Sequence, residues 1–186
     1  MSSAELNTPI RRVITGHDSK GTAIFESDDI LHPVDPTTTP IFSTPTTSSA
    51  FGVIQIHRTQ SFPVNNLLPL TEPHKTLVPL ADTKGPSARI LDLPPAEKGW
   101  FHRTLSLDYA VVLKGTVTLI VDGGVEKELK EHDIVVVRGT NHEWVNRGTE
   151  VARVFAVVVP AKEIVIEGKR LEKTEAGPVF DPPEED

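Results

Sequence analysis

The sequence predicts an all-β protein, and three observations lead to that fold class. Ten of the 16 prolines lie before residue 87, whereas none lies between Ala96 and Val159. Proline cannot donate to a sheet ladder, so the central strands are expected within the proline-free stretch. That stretch is made of short β-branched runs broken by glycine-containing turns. No segment shows the long amphipathic period of an α-helix.

The proline-rich first half contains three candidate strands. Residues 11–15 and 22–25 flank the polar segment 16–21, which indicates a hairpin or a strand pair. Residues 33–49 are rich in proline, threonine and serine, and this composition is typical of a long loop or arm. A further strand is predicted at 51–56.

Four more strands are predicted in the proline-free stretch, at 109–113, 117–121, 134–137 and 154–159. The turns between them are predicted at Lys114-Gly115, Asp122-Gly123-Gly124 and Arg138-Gly139. Alternate residues share one face of a strand, so Val117, Leu119 and Val121 are expected on the same side. Short strands joined by glycine turns at this spacing are typical of an antiparallel barrel or sandwich.

Length and composition narrow the class of protein. A chain of 186 residues with 38% hydrophobic residues predicts one domain with a real core and additional arms. No apolar run is long enough to cross a bilayer, so we expect no membrane partner. The first residues lack the basic-then-apolar pattern of a secretory signal, which favours a cytoplasmic location.

Charge and cysteine content limit the partners and the chemistry. The net charge of −7 argues against nucleic-acid binding, which needs a basic face. Four of the negative charges lie in 181–186, a segment that we interpret as a solvated acidic tail. Because the chain has no cysteine, any metal must take histidine and carboxylate ligands.

Two polar clusters, at 102–108 and 138–146, each carry a histidine and are separated by the predicted hairpin. In a strand, His102 and Thr104 project from the same face. Asp108 lies at the entrance of the next strand, and His142 follows the turn at 138–139. We therefore expect His102, Asp108 and His142 to converge on one pocket of a small β-barrel, where they can hold a metal or move protons.

The two clusters resemble the two signature motifs of the cupin superfamily. The first motif is matched in order by Gly99, His102, Asp108 and Gly115, with Asp in place of Glu and Thr104 in place of the second His. The second motif is matched by Gly139, His142 and Asn146, with Arg138 where Pro is common. The resemblance covers residues 88–160 and implies a cupin-type jelly-roll β-barrel with an N-terminal arm.

The resemblance also implies a domain organisation and an oligomeric state. Residues 1–87 form the proline-rich arm with extra strands, residues 88–160 form the barrel core, and residues 161–186 form a C-terminal extension. Small cupins commonly pair through such arms, so a homodimer is expected.

Three chemistries remain open for the pocket. In the first, His102, Asp108 and His142 bind a divalent transition metal (Fe, Mn, Zn or Ni) and leave coordination positions open for water or substrate. In the second, no metal binds and the histidines act as general acid and base, with Asp108 orienting one of them. In the third, the barrel only binds a ligand.

Neighbouring residues are candidates for substrate contact. Thr104 is expected to point at the pocket, and Arg138 either anchors a substrate carboxylate or enolate or is solvated. Tyr109 is either a catalytic acid or, more in keeping with its alternating run, a core residue. Trp100 and Trp144 flank the histidines and either line an aromatic substrate pocket or plug the barrel.

Three segments, 11–18, 102–109 and 139–146, are similar to a group of small microbial and fungal cupins. Some members of that group tailor polyketides as oxidoreductases or dehydratases. The resemblance implies a metal-dependent oxidoreductase acting on an oxygenated, carbonyl-bearing secondary metabolite such as a polyketide. The alternatives are a metal-independent dehydratase or isomerase, and a non-catalytic ligand-binding cupin.

Overall fold

Strands make up more than half of the described residues in this computed structural model, which describes residues 8–34, 51–70, 81, 84–96, 98–172 and 174. Within these residues the single helical element is a short 3-10 turn, Asp122–Gly124. The prediction of an all-β protein is confirmed. No helix in the described part of the chain has the length and apolar character needed to span a bilayer.

The structure contains 12 described strands. Their bounds are β1 (Ile10–His17), β2 (Ala23–Leu31), β3 (Gly52–Arg58), β4 (Ser87–Leu93), β5 (Ser106–Lys114), β6 (Thr116–Val121), β7 (Val125–Lys130), β8 (Ile134–Arg138), β9 (His142–Val145), β10 (Ala152–Pro160), β11 (Ile164–Ile166) and β12 (Lys169–Leu171). Every predicted strand is present and is longer than predicted. Strands β4, β7, β9, β11 and β12 were not predicted from the strand patterns.

The strands form two main antiparallel sheets and two hairpins. The larger sheet has the order β3-β4-β10-β5-β8, and the smaller has the order β7-β6-β9. The chain passes from β5 into β6 through Gly115, whose φ of 77° favours glycine. The predicted cupin-type jelly roll is confirmed, and among the described strands its two sheets do not join into one closed hydrogen-bonded barrel.

The main core lies between the two sheets. It is formed by buried residues from both of them, with Val112, Val154 and Ala156 on the larger sheet and Val117 on the smaller. Trp144 packs against this cluster from β9. Ala110, Val154 and Ala156 of this cluster also line the cavity that holds the candidate site.

A second apolar cluster attaches the N-terminal hairpin to the outer face of the larger sheet. Leu31 from β2 packs with Ile54 and Ile90. The buried Arg12 of β1 donates a 2.8 Å hydrogen bond to the carbonyl oxygen of Ile56 and pairs with Asp29. The hairpin is therefore part of the packed domain. Residues 35–49 of the predicted loop and all of the acidic tail at 181–186 lie outside the described residues.

The same outer face contains a buried ion pair. Both carboxylate oxygens of Asp92 accept hydrogen bonds from the guanidinium of Arg153, at 2.6 and 2.7 Å. The Asp92 side chain is 1% exposed and that of Arg153 is 14% exposed. Gly52 packs against Asp92 at a distance that leaves little space for a larger residue. Removing either charge leaves the other uncompensated in a dry environment.

We expect Asp92→Asn to lower the free energy of unfolding by about 3 kcal/mol, because the charge of Arg153 then remains buried without a counter-ion. The matched control is Glu126→Gln, which breaks the bidentate but exposed pair with Arg147. That pair is screened by water, so its loss should be much smaller. Urea unfolding of the three proteins measures both effects, and equal losses would contradict the role given to the buried pair.

Candidate functional site

A cavity of about 290 Å³ lies between the two sheets, beside the main core. Its floor is the inner face of the larger sheet, where the strand register aligns residues of β4, β10 and β5 in rows. The three rows are Leu91–Val154–Val112, Arg89–Ala156–Ala110 and Ser87–Val158–Asp108. The floor therefore changes from apolar in the first row to charged in the last two.

The opposite wall is built around an antiparallel bridge between His102 and His142. Each residue donates its backbone N–H to the carbonyl oxygen of the other, at 2.8 Å in both cases. The bridge adds His102 to the smaller sheet and brings the two ring centroids to 4.5 Å. The preceding chain runs so close to β9 that a Cβ on Gly99 would overlap the carbonyl oxygen of Trp144.

The two imidazoles are oriented in the same way. Nδ1 of His102 lies 2.8 Å from the carbonyl oxygen of Trp100, and Nδ1 of His142 lies 2.9 Å from that of Thr140. A carbonyl oxygen can only accept, so each Nδ1 carries the proton. In the neutral ring, Nε2 then keeps its lone pair. The site thus holds two neighbouring imidazoles with assigned tautomers.

His142 is held in its neutral form. Its side chain is 2% exposed, and this burial, together with the neighbouring His102, lowers its pKa from the ordinary value of 6.5 to about 4. The hydrogen bond to Thr140 opposes the shift only in part. At neutral pH the Nε2 of His142 is consequently a proton acceptor or a ligand, and not a cation.

Asp108 is the acidic group of the cavity. Burial raises the pKa of its carboxyl group, and the shift is opposed by a hydrogen bond from Ser106 and by the charges of Arg89 and His102. Its buried Oδ1 atom has no hydrogen-bond partner. The hydroxyl group of Thr104 lies 2.7 Å from that of Ser106. Thr104, Ser106 and Asp108 therefore form a row of polar side chains on one face of the chain.

The predicted metal ligands are only partly brought together. Anchored Nδ1 atoms and available Nε2 atoms are typical of metal-binding histidines. However, no group of three or more His, Asp or Glu side chains is arranged to hold a metal ion in the described ranges. The set of His102, Asp108 and His142 therefore stays a prediction: the two imidazoles are adjacent, and Asp108 lies on the larger sheet across the cavity.

Three of the predicted substrate-binding residues line the cavity. They are Thr104, Trp100 and Trp144. The ring of Trp100 packs edge-on against Phe51 with centroids 5.0 Å apart. Trp144 lies edge-on to the ring of His142 at 6.2 Å and also touches the core. The two tryptophans therefore form an aromatic part of the cavity wall. Trp144 also packs against the main core.

Two predicted residues lie elsewhere. Tyr109 follows Asp108 in β5 and so points to the outer face of the larger sheet, where it is 47% exposed. The interpretation of Tyr109 as a core residue is wrong, and the structure does not bring it to the cavity. Arg138 is exposed and lines a separate cavity beside Gly139 and Arg103. Strand alternation, which places successive side chains on opposite faces, separates both from the histidines.

Sequence reasoning missed two charged residues that line the cavity, the buried Arg89 and the exposed Lys98. Arg89 is 5% exposed, lines the cavity and donates a 3.1 Å hydrogen bond to the hydroxyl of Ser87. The signal was the alternation of Arg89 with Leu91 and Leu93, which places all three side chains on the same face of β4. It was missed because β4 itself was not predicted.

Comparison with known proteins gives the family. The model of the cupin domain matches residues 89–158. A cupin-domain-containing oxidoreductase of Aspergillus ruber is 32% identical over 166 residues, which are 87% of this chain and 77% of that protein. The chain belongs to the cupin family. This confirms the resemblance on which the fold and the site were predicted.

Two further comparisons place this cupin among its relatives. Phomopsin biosynthesis cluster protein D of Diaporthe leptostromiformis is 34% identical over 183 residues, covering 91% of this chain and 87% of that one. Among solved structures, a Cupin 2 conserved barrel domain protein of Salinispora arenicola is 17% identical and has a TM-score of 0.41. The structural match covers 60% of this cupin and 76% of the other.

The neutral state of His142 predicts a pH dependence of stability. The unfolded chain binds a proton near pH 6.5, whereas the folded chain binds it only near pH 4. The contribution of His142 to the free energy of unfolding is therefore fully present above pH 6.5. It is lost as the pH falls from 6.5 to about 4, and the loss is on the order of 3 kcal/mol. His142→Gln should remove this part of the dependence.

Urea unfolding between those two pH values, with a chelator present, measures the effect. The raised pKa of Asp108 changes the stability with pH in the opposite direction. The quantity to compare is therefore the difference in the free energy of unfolding between the parent protein and His142→Gln at each pH. His17→Gln, at an exposed histidine of β1, is the control and should keep the parent slope. Identical slopes in all three proteins would contradict a neutral, buried His142.

Proposed function

We propose that this cupin is a tailoring oxidoreductase that acts on an oxygenated, carbonyl-bearing secondary metabolite, such as a polyketide. The observation that carries the proposal is the pair of imidazoles, His102 and His142, on the wall of a largely apolar cavity. Names of relatives support the class of reaction, because several are called cupin-domain-containing oxidoreductases and others are products of biosynthesis clusters.

The cavity supplies the requirements for chemistry next to a carbonyl group. Its apolar end suits the hydrocarbon body of a metabolite, and its polar end places Nε2 atoms where a proton can be accepted. His142 remains unprotonated at neutral pH, since its pKa is lowered to about 4. Asp108, across the cavity, provides a second group for proton transfer.

Oxidation or reduction of the substrate requires a group beyond these side chains. The chain has no cysteine, so a thiol pair cannot be its redox centre. A bound metal or an organic cofactor must accept or donate the electrons. The two anchored imidazoles suit a metal, and the set of His102, Asp108 and His142 remains a prediction.

A specific observation favours a second candidate function. The imidazoles are already oriented for proton transfer, whereas three metal ligands are not grouped in the described residues. A metal-independent dehydratase or isomerase needs only a base to remove a proton beside the carbonyl and an acid to return one.

Metal content distinguishes the two candidates. For the oxidoreductase we expect about one equivalent of a divalent transition metal (Fe, Mn, Zn or Ni) per chain, because ligand-bound metal survives purification when no chelator is used. Elemental analysis of protein prepared without a histidine tag makes the measurement. A content well below about 0.1 equivalent, after attempts at reconstitution, would favour acid–base chemistry.

Catalysis itself is tested at His142. His142→Gln keeps a polar side chain but removes the titratable ring, so turnover should fall by a factor of about 100 or more. His17→Gln is the matched control and should retain the parent turnover. Oxygenated aromatic and polyene aldehydes and ketones are the first substrates to screen, with each metal and with oxygen present. Saturable binding without conversion under all these conditions would instead identify a non-catalytic ligand-binding cupin.

A further inference from the structure

A second cavity, of about 610 Å³, lies on the other side of the chain segments that carry the two histidines. The histidine cavity is the one lined by His102 and His142. Their direct neighbours Arg103 and Asn141 line the second cavity instead, because successive residues of an extended chain point to opposite sides. The bridge that pairs the two imidazoles therefore also sets Arg103 in a separate space.

The second cavity concentrates positive charge. Its described lining residues include three basic side chains and one acidic side chain, namely Arg103, Arg138, Lys162 and Asp122. Among the described residues, neither Arg138 nor Lys162 pairs with a carboxylate. The whole chain, in contrast, has a net charge of −7. A local excess of basic groups in an acidic protein favours an anionic ligand at this place.

The guanidinium of Arg103 lacks the close carboxylate that Arg12 and Arg153 have. Its side chain is 14% exposed, its Nε is buried without a hydrogen-bond partner, and its Nη2 lies 3.6 Å from Oδ2 of Asp122, too far for a hydrogen bond. It donates a long hydrogen bond, of 3.3 Å, to the carbonyl oxygen of Glu172. Arg12 and Arg153 each donate two hydrogen bonds to one carboxylate, at 2.5 to 2.9 Å. A ligand carboxylate would give Arg103 the same kind of partner.

The hairpin of β11 and β12 gives the second cavity an apolar side. Its register pairs Ile164 with Leu171, alternation adds Ile166 to the same face, and all three line the cavity. The hairpin approaches the turn after β8 closely, since a Cβ on Gly139 would come within 2.9 Å of Cδ1 of Ile164. Because Gly139 directly follows Arg138, aliphatic and basic groups lie beside each other. A ligand that suits both has a hydrocarbon body next to its charge.

We propose that the second cavity is a binding site for an organic carboxylate with an aliphatic body. The carboxylate accepts two hydrogen bonds from Arg103, and the charges of Arg138 and Lys162 attract it further. The aliphatic body lies against the apolar face of the hairpin. The site does not rest on the proposed function, because these three basic residues lie outside the histidine cavity.

Three probes separate the contributions of charge and hydrocarbon body in NMR titrations of the full chain. Hexanoate has both, hexanol lacks the charge and acetate lacks the body. We expect hexanoate to bind at least about ten-fold more tightly than either of the others, since each of them loses one of the two interactions. The amide signals of Gly139 and Ile166 should shift. The indole N–H signals of Trp100 and Trp144, the tryptophans of the histidine cavity, should not.

Two variants assign the charge contact. Arg103→Met should weaken hexanoate binding at least about ten-fold and leave hexanol binding unchanged. Arg138→Met, at an exposed position, should weaken hexanoate binding about three-fold, and it tests the site even if Arg103→Met does not fold. The matched control is Arg147→Met, which removes the same charge from an exposed residue that lines neither cavity. It should retain the affinities of the parent protein.

The outcomes separate this inference from the proposed function. Equal affinities for hexanoate and hexanol, no saturable binding of hexanoate, or shifts confined to the two indole groups would overturn the site. Hexanoate affinity that is unchanged in both Arg103→Met and Arg138→Met, or reduced equally in Arg147→Met, would overturn it as well. His142→Gln should keep the parent affinity for hexanoate whether or not it loses turnover, so the site can be supported or rejected independently of the oxidoreductase.

Discussion

Two backbone hydrogen bonds between His102 and His142 hold the segment before β5 against the edge of the smaller sheet. Because the bonds pair the two residues directly, they also set their side chains next to each other. The carbonyl groups of Trp100 and Thr140, two residues before each histidine, then fix both rings. One local pairing thus determines the position, orientation and tautomer of the two groups that dominate the site. A register shift of one residue would turn one imidazole away from the cavity.

The larger sheet imposes the second constraint, because β10 lies in its centre and aligns β4 with β5. Through that alignment, Arg89 and Asp108 face the same cavity although they are 19 positions apart in the chain. On the opposite face of the same strands, Asp92 and Arg153 pair directly. The outer pair is satisfied and serves stability, whereas the inner carboxyl group keeps an acceptor without a partner. Charged residues on the two faces of one sheet thus have different roles. The hydrogen bonds that each residue makes distinguish the two roles.

Membership of the cupin family accounts for the architecture more fully than for the reaction. The family's second histidine is Thr104 here, and this residue binds Ser106 inside the cavity. Asp108 stands where the first motif has a glutamate. Thr104 in place of histidine removes one imidazole from the ligand set that the resemblance implies. The chemistry of this cupin therefore has to be established from its own pocket and not from the family alone.

The sequence by itself determined the all-β class, most of the strands and the two polar clusters. These depend on local signals: β-branched runs, turn glycines such as Gly115, and the exclusion of proline from central strands. It also predicted that His102, Asp108, Thr104 and His142 would face one cavity, which follows from alternation within each strand.

Only the tertiary structure decided the features that depend on how strands pair with one another. The exposed strand β7 has no apolar alternation to reveal it, and β4 was overlooked together with Arg89. Alternation placed Tyr109 on the outer face, where few side chains cover it, so an apolar-looking position is solvent-exposed. Whether three ligands meet depends on distances between separate sheets, and periodicity along one chain carries no information about those distances.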